Sequence, residues 1–535
     1  MVKNTLSNYD LLFKMGDPYA FPQLIVKIDT LYFCFMNKSP FISKSKYLSG
    51  IQCHKLLWHY YNAKEEIPEA DAGTQALFDQ GHLVGEYAKK LYPTGIEVAE
   101  GIIAFEKVIE QSKQLISKRL PLFEAAFRYK NAFARADILN PVGRNAWEII
   151  EVKSSTQVKD INLYDLSLQW YTYQGTGLEV KRCYLLHINN EYVRKGEIDP
   201  RKLFVLEEVT SDVKKLLPEV EERLEKMIKV IAAKKYPKIE IGLHCNDPYE
   251  CPLQEKCFNY LPRHNPLTLS RFKTEKAFSL INDGVTDILK FDDSITLSDK
   301  QKIQIQSLRS KRAYVDKEGI QSFLNTLAHP LYYLDFETIG TAIPMFNHVR
   351  PYQQIPFQFS LHIQASPNSK LEHISYLAEG KDDPRPELLK LLKKHLGMKG
   401  SIVAYNAPFE KDKLNKACEV FPAYREWNQK IQARTVDLLN PFKAFYYYHY
   451  KQEGSASIKS VFPALTGKGY DGMEIADGGT ASNEYLRVTY GEGVTEKERK
   501  TVRKYLEEYC ELDTIAMVKI VEKLIKISTG TVYYS

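Results

Sequence analysis

Two groups of acidic residues and one group of cysteines are spaced so that each could do chemistry. Asp137 ends one strand-like run, and Glu151-Val152-Lys153 closes the next. Alternate side chains of an extended chain share a face, so Glu151 and Lys153 point together while Val152 turns to the core. With Asp137 on the neighbouring strand, two carboxylates and an ammonium converge. Carboxylates so placed suit Mg²⁺ or Mn²⁺ and hydrolysis of a phosphodiester, with the lysine orienting water or stabilising developing charge. The second group begins at Asp335 and Glu337, two residues apart at the end of the apolar run from Leu331. It continues at Asn406, Phe409 and Glu410, where a short strand enters a helix, with Asp412 as an alternative ligand to Glu410. It ends at Tyr509 and Asp513, four residues apart on a long helix and therefore facing the same way. Four such carboxylates can hold two ions ~3.5–4 Å apart, and a tyrosine hydroxyl beside them can orient the attacking water.

Cys245, Cys251 and Cys257 lie in a segment broken by Pro248 and Pro252. Three cysteines so close in a chain expected to be cytoplasmic argue for a metal rather than a disulfide. Their spacing is wider than the paired cysteines of zinc ribbons, whereas a 4Fe–4S cubane accepts a distant fourth thiolate. Cys53 is the candidate fourth, and zinc stays as the alternative. Cys34, Cys183, Cys418 and Cys510 are scattered and read as small buried side chains.

The elements that must position these residues can be followed along the chain. Residues 1–41 read as an N-terminal extension, with Met36 a possible later start. Ile42 to Asn62 is better patterned, and helical spacing runs from Phe78 to Leu91. Asn131 to Asn140 and Ala146 to Ser154 form a strand pair, followed by a helix over Asp160 to Tyr173 and another over residues 210–233. The cysteine-bearing stretch ends the first unit, residues 42–260. Residues 261–328 read as a lysine-rich helical linker, in which Ile281 to Phe291 faintly resembles a helix–hairpin–helix. The second unit, 329–535, opens with the strand from Leu331 and has a short buried strand at Ser401 to Ala404. Residues 440–494 read as irregular, with Phe445 to His449 an aromatic helix in the core or a surface that stacks bases. Thr495 and Glu498 form a capping box for the last helix.

Asp137, Glu151-Val152-Lys153 and the following Gln169-x-x-x-Tyr173 resemble the PD-(D/E)XK nuclease superfamily, and most closely its RecB-like branch. That resemblance implies positioning roles for Gln169 and Tyr173 and a further metal-binding residue near Gly81-His82-Leu83-Val84-Gly85-Glu86. Many relatives have histidine where this chain has Gly85, so Glu86 takes the role, with His82 second. One cysteine before the core and three after it resemble the iron–sulfur members of that branch, in which the cluster is structural. Asp335-Phe336-Glu337-Thr338-Ile339-Gly340, the Asn406–Glu410 segment and Tyr509-x-x-x-Asp513 are similar to the DnaQ-like, or DEDD, exonucleases of the tyrosine subtype. Their usual second motif carries aspartate where Glu410 stands. The resemblance also gives Thr338, Asn406, Phe409, Ser457 and Lys459 as nucleic-acid contacts. The implied architecture is α/β twice: a restriction-endonuclease-like domain with an Fe–S cluster, a helical linker and a ribonuclease-H-like domain.

The implied activity is metal-dependent hydrolysis of DNA, with a 3′-end exonuclease centre in the second unit. RNA as substrate and a binding or assembly factor with decayed centres are the alternatives. Composition excludes little. Hydrophobic residues at 44% and charged residues at 26% are globular values. A net charge of +6, from 73 basic and 67 acidic residues, suits a polyanion without requiring one. No stretch reaches the ~20 apolar residues of a membrane span, and Leu24 to Met36 is interrupted by Lys27 and Asp29.

Overall fold

The computed structural model describes residues 40–98 and 104–530, so most of the expected N-terminal extension, with Met36 and Cys34, lies outside the described residues. The architecture is mixed α/β, built on two large sheets. Among the described residues no helix is long and apolar enough to cross a membrane.

The first half comprises β1 (Ile42–Ser43), α1 (Lys44–Gln52), α2 (His54–Asn62), α3 (Ala72–Lys89), β2 (Ile96–Glu97) and α4 (Phe105–Leu115). These are followed by β3 (Leu122–Tyr129), β4 (Ala132–Val142), β5 (Ala146–Lys153), α5 (Asp160–Gly175), β6 (Val180–Ile188), β7 (Phe204–Glu208) and α6 (Thr210–Ala232). The strands form one sheet in the order β2-β3-β4-β5-β6-β7, with β1 added beside β4. β4 and β5 are the antiparallel pair expected from the sequence, whereas β5 and β6 run parallel, joined by α5. β5 is buried on both faces, as a central strand must be: Ile149 packs towards α5 with Leu166 and Trp170, and Ile150 packs towards α3 with Val84 and Ala88. Glu151 and Lys153 continue the Ile149 side, so both head groups point at α5. Val152 joins the Ile150 side, as alternation requires. β4 runs on through Pro141 and Val142, which leaves Asp137 in mid-strand rather than at its end.

Residues 261–328 contain α7 (Thr274–Asn282), α8 (Asp299–Ser310), β8 (Tyr314–Val315) and α9 (Lys317–Leu324). Ile320 and Phe323 of α9 pack into the core of the second half. The second half contains β9 (Leu331–Ile339), β10 (Ile355–Gln364), β11 (Glu372–Leu377), α10 (Arg385–His395), β12 (Ser401–Ala404), α11 (Ala407–Val420), α12 (Arg425–Ala433) and β13 (Thr435–Asp437). β14 (Tyr447–Tyr448), α13 (Ile458–Thr466), α14 (Gly478–Tyr490) and α15 (Glu496–Ser528) complete it. Its sheet has the order β11-β10-β9-β12-β13, antiparallel across β11, β10 and β9 and parallel across β9, β12 and β13. Along β9, Tyr332, Leu334 and Phe336 pack on the α10–α11 side, and Leu331 and Tyr333 on the α15 side. Asp335 and Glu337 therefore face α15.

The stretch 440–494, expected to be irregular, holds α13 and α14, and its aromatic run is strand rather than helix. Tyr447 and Tyr448 pair with β8 and are buried, with Phe445 stacked on Tyr448 at 4.8 Å, so these rings are core and not a base-stacking surface. Thr495 caps α15 through the Glu498 amide at 3.2 Å, while the Glu498 carboxylate turns instead to Arg487 at 2.5 Å.

The segment after β9 crosses to the first half. Ala342 and Ile343 enter the core formed by Ile138 and Ile150, the Arg194 guanidinium donates to the Pro344 carbonyl at 3.0 Å, and the Tyr352 hydroxyl donates to the Ser154 carbonyl. That carbonyl follows Lys153 directly, so one ordered segment runs from the end of the second acidic strand to the end of the first.

Candidate active sites and cysteine centre

In the first half, Asp137 Oδ2 accepts the Val152 amide at 2.7 Å, which places it beside the end of β5. Glu151, buried at 1% exposure, accepts from Lys153 Nζ at 2.6 Å, Lys44 Nζ at 2.7 Å and Gln169 Nε2 at 2.7 Å. The expected convergence of Asp137, Glu151, Lys153 and Gln169 is present. Two further residues stand at its centre. Asp165, one turn before Gln169 on α5 and wholly buried, accepts from Lys153 at 3.0 Å and Gln169 at 2.9 Å. Lys44, the first residue of α1, lies 3.6 Å from Asp137 and 3.9 Å from Asp165.

Three carboxylates thus share two ammoniums. Burial opposes the charge on Glu151, yet Lys153 and Lys44 hold its carboxyl well below the ordinary range. Asp137 and Asp165 are pushed up, by burial first and by Glu151 second. Burial works against both ammoniums, but the surrounding acids raise them. Tyr173 is buried and its hydroxyl serves the backbone, donating to the Ala125 carbonyl and accepting the Ala136 amide at 2.7 Å each. It pins α5 to β3 and β4. Glu86 is on the exposed side of α3, paired with Lys89 at 2.8 Å, and His82 is exposed. Lys44 and Asp165 are the fifth and sixth members of this group, while Glu86 turns to Lys89. The i, i+4 pair Asp165 and Gln169 on a helix otherwise lined by Leu166, Leu168 and Trp170 was a readable signal. A single lysine at position 44 was not.

The four selected cysteines meet. Cys53 sits in extended backbone between α1 and α2, and it lines one cavity with Cys245, Cys251, Cys257 and the apolar Leu56 and Leu253. All four are free thiols. Burial raises Cys53, Cys245 and Cys251, the last to about 11, and each is raised further by other thiols of the group. Four thiols gathered in one cavity, three of them raised by burial and by their neighbours, are a donor set that a cationic centre would relieve, so the residues fit a metal or cluster. The Lys55 ammonium reaches Cys257 Sγ at 3.1 Å, and Gln52 Nε2 ties this edge to the His244 carbonyl at 2.9 Å. Cys183, Cys418 and Cys510 are buried and separate from this group; Cys183 and Cys418 pack in the core, whereas Cys510 lies beside Asp335.

In the second half the carboxylates gather with few cations. Asp335 and Glu337, with Cys510 of α15, present donor atoms within 4.8 Å of one another. Asp513 faces them from α15, and Glu410 from the first turn of α11 is close enough to raise Asp335 further. Burial, then these neighbours, pushes Asp335 well above its ordinary value and Glu337 up to about 8. Burial and Asp437 push Glu410 up to about 8, and its Oε2 is buried without a hydrogen-bond partner. Asp412 is half-exposed and paired with Lys413 and Lys416 at 2.9 Å each, so Glu410 is the acid brought to the group. Burial raises Asp513 while the hydroxyls of Tyr470 and Tyr509 and the Lys459 ammonium lower it. Tyr470 donates directly to Asp513 Oδ1. Lys459 lies over the rings of Tyr470 at 5.8 Å and Tyr509 at 5.4 Å.

Thr338 donates to Gln354 Oε1 at 2.6 Å. Asn406 takes a left-handed φ of 73° at the head of α11, its amide held by Asp437 at 3.0 Å, and Lys413 stacks on Phe409 at 4.3 Å. Ser457 caps α13, which aims Lys459 at the acidic group. The start of α14 also approaches: a side chain at Gly478 would come within 3.4 Å of Glu337 Oε2, so the positive end of that helix faces a carboxylate. Tyr470 and Gly478 went unread in the sequence because both lie in the stretch taken as irregular.

Residues 332–457 match a family described as a domain of unknown function, DUF2779. An uncharacterized protein of Mycoplasma pneumoniae is 28% identical over 235 residues, 39% of this chain and 35% of that protein, so the chain spans about a third of that relative's length. The matched family segment includes Asp335, Glu337, Thr338, Asn406, Phe409 and Glu410 and ends at Ser457, short of Lys459, Tyr470, Tyr509 and Asp513.

Proposed function

We propose that the protein is a metal-dependent nuclease that hydrolyses DNA, with a RecB-like PD-(D/E)XK centre around Glu151 and a DnaQ-like exonuclease centre of the tyrosine subtype around Asp335. The observation that carries this is the meeting of Asp335, Glu337, Glu410 and Asp513, from three distant segments, on one side of a five-stranded mixed sheet beside Tyr509. A five-stranded sheet ordered β11-β10-β9-β12-β13, with the first acids on its central strand and the last on a covering helix, supports a ribonuclease-H-like assignment. The four cysteines lining one cavity support a 4Fe–4S cluster joining the two ends of the first domain.

Divalent Mg²⁺ or Mn²⁺, when bound by these acids, supplies Lewis-acid activation of the phosphodiester and of the attacking water. The chain's own residues do the rest. Tyr470 donates to Asp513 Oδ1, and the Tyr509 hydroxyl also reaches that carboxylate, so the two tyrosines orient it as a ligand. The Tyr509 hydroxyl, on the same turn as Asp513, orients the nucleophilic water. Lys459, between the two tyrosine rings, offers an ammonium to the substrate phosphate. In the first centre, Gln169 donates to one oxygen of Glu151 and Lys44 to the other, which orients the carboxylate, and Lys153 is placed to stabilise charge on the phosphate. The N-terminal centre alone has a second reading, binding without cleavage, because the Lys44 ammonium stands among its carboxylates.

The test is cleavage of end-labelled DNA and RNA with Mn²⁺ by anaerobically purified wild type, Asp137→Asn, Asp335→Asn and the double variant. Stepwise release of mononucleotides from a 3′ end should vanish with Asp335→Asn. Cleavage retained by the double variant would refute the assignment, and cleavage unaffected by Asp137→Asn would favour binding at the first centre.

A further inference from the structure

We propose that His362, His373 and Glu511 form a third metal site, for a borderline divalent ion such as Zn²⁺, distinct from both acidic centres and from the cysteine cluster. One donor atom from each residue lies within 4.8 Å of the other two. His362 and His373 are directly opposite on β10 and β11, their rings stacked with centroids 4.4 Å apart, and Glu511 comes from α15 above them.

One nitrogen of each ring meets a hydroxyl. Thr514 Oγ1 lies 3.0 Å from the Glu511 carbonyl, 2.7 Å from Ser360 Oγ and 2.8 Å from His362 Nδ1, and Ser360 Oγ lies 2.9 Å from His373 Nε2. With the threonine proton on the Glu511 carbonyl, the two hydroxyls take one N–H from each imidazole and leave His362 Nε2 and His373 Nδ1 as lone pairs. This is the arrangement in which metal-ligating histidines are held by their outer partners.

In that arrangement the lone pair of His373 Nδ1 faces the Glu511 carboxylate at 3.6 Å, and a positive charge between them relieves the repulsion. A metal ion supplies it, with two imidazoles and a carboxylate as a three-protein-ligand set and a position open to water. The donor set selects against Mg²⁺ and Ca²⁺, which prefer oxygen alone. Ligand bonds of ~2.0–2.1 Å require the donors to draw together by about an ångström, within the freedom of the exposed Glu511 and half-exposed His373 side chains. His362 is buried, with its ring held by Thr514 on one side and stacked on His373. Because Glu511 and Thr514 flank Asp513 on α15, an ion here clamps that helix to β10 and β11 and fixes the Asp513 backbone.

The full iron-loaded chain is dialysed against Zn²⁺ in excess Mg²⁺, and zinc per chain is measured for wild type, His373→Ala, Glu511→Gln, Thr514→Val and Asp335→Asn. One zinc should be lost in His373→Ala, with iron content unchanged, and kept in Asp335→Asn. Glu511→Gln should weaken zinc binding, and Thr514→Val should weaken it by about 10–100-fold. His373 and Glu511 lie at the surface, so their variants keep the fold, which circular dichroism verifies. Equal zinc in wild type and His373→Ala, or none in wild type with His373 titrating as an imidazolium paired to Glu511, overturns the site.

Discussion

The two acidic centres solve the same electrostatic problem in opposite ways. Around Glu151, three carboxylates are met by Lys44 and Lys153 within 4 Å, and the key acid is held ionised. Around Asp335, itself partly exposed beside the buried Glu337, Glu410 and Asp513, Lys459 is the ammonium that lowers Asp335, Glu337 and Asp513, and the net shift of all four acids is upward. Two like charges 4 Å apart cost about 4 kcal/mol at an effective dielectric near 20. The second centre therefore cannot be fully ionised without added cations, whereas the first is largely neutralised by its own chain. A centre short of positive charge is suited to two divalent ions, and a neutralised one to fewer or to the substrate's phosphate.

The largest expected break in this comparison is at Asp335. Asp335→Asn should lower 3′-end release by roughly 10³-fold while leaving any Asp137-dependent cleavage intact. Loss of all cleavage in single-turnover assays would show instead that the segment from Gly340 to Gln354 couples the centres into one machine. Tyr509→Phe should cost about 10²-fold in turnover at saturating Mn²⁺ with unchanged melting, the mark of an orienting hydroxyl. Wild-type turnover in that variant would remove the tyrosine from the mechanism.

Lys44→Met sharpens the contrast from the other side. It leaves Glu151 with a single ammonium in a buried setting, a loss of about 3 kcal/mol in denaturant unfolding. Divalent cations should restore part of that loss in the variant and add less to the wild type. A smaller effect is the pH dependence of the metal-free protein. Glu337 and Glu410 are raised from 4.5 to about 8, so the folded state favours their protonated forms. The stability those forms contribute is complete below about pH 4.5 and is lost as pH rises to about 8. Thermal melting followed without and with Mn²⁺ should show this decline only when metal is absent. Glu86→Ala should do least, within about 0.5 kcal/mol in stability and without effect on cleavage, because the residue is a surface partner of Lys89.

How much of this was legible in the sequence differed between the same two regions. The motif strands were readable because alternation fixes which residues share a face: Glu151 with Lys153, and Asp335 with Glu337. Cys53 was readable because three clustered cysteines demand a fourth. Strands β3, β6 and β7 were not identified, since short apolar runs lack a period that separates strand from helix. α13 and α14 were missed because Pro463 inside the one and Gly478 and Gly479 at the head of the other masked helices whose apolar faces close on the core. Lys44 and Tyr470 act through tertiary contacts with acids more than forty residues away, and nothing in their local sequence marks that. Glu86 carried the opposite lesson, a motif neighbour whose side chain turns to solvent.

The central claim is that the Asp335 centre is an unneutralised acid group completed by divalent ions. Calorimetric titration of Mn²⁺ at about pH 8, in two buffers of different ionisation enthalpy, tests it directly. Wild type should bind two Mn²⁺ at this centre with release of protons, and Asp335→Asn should lose both that binding and that proton release, while Asp137→Asn keeps them. Identical Mn²⁺ stoichiometry and proton release in wild type and Asp335→Asn would contradict the account.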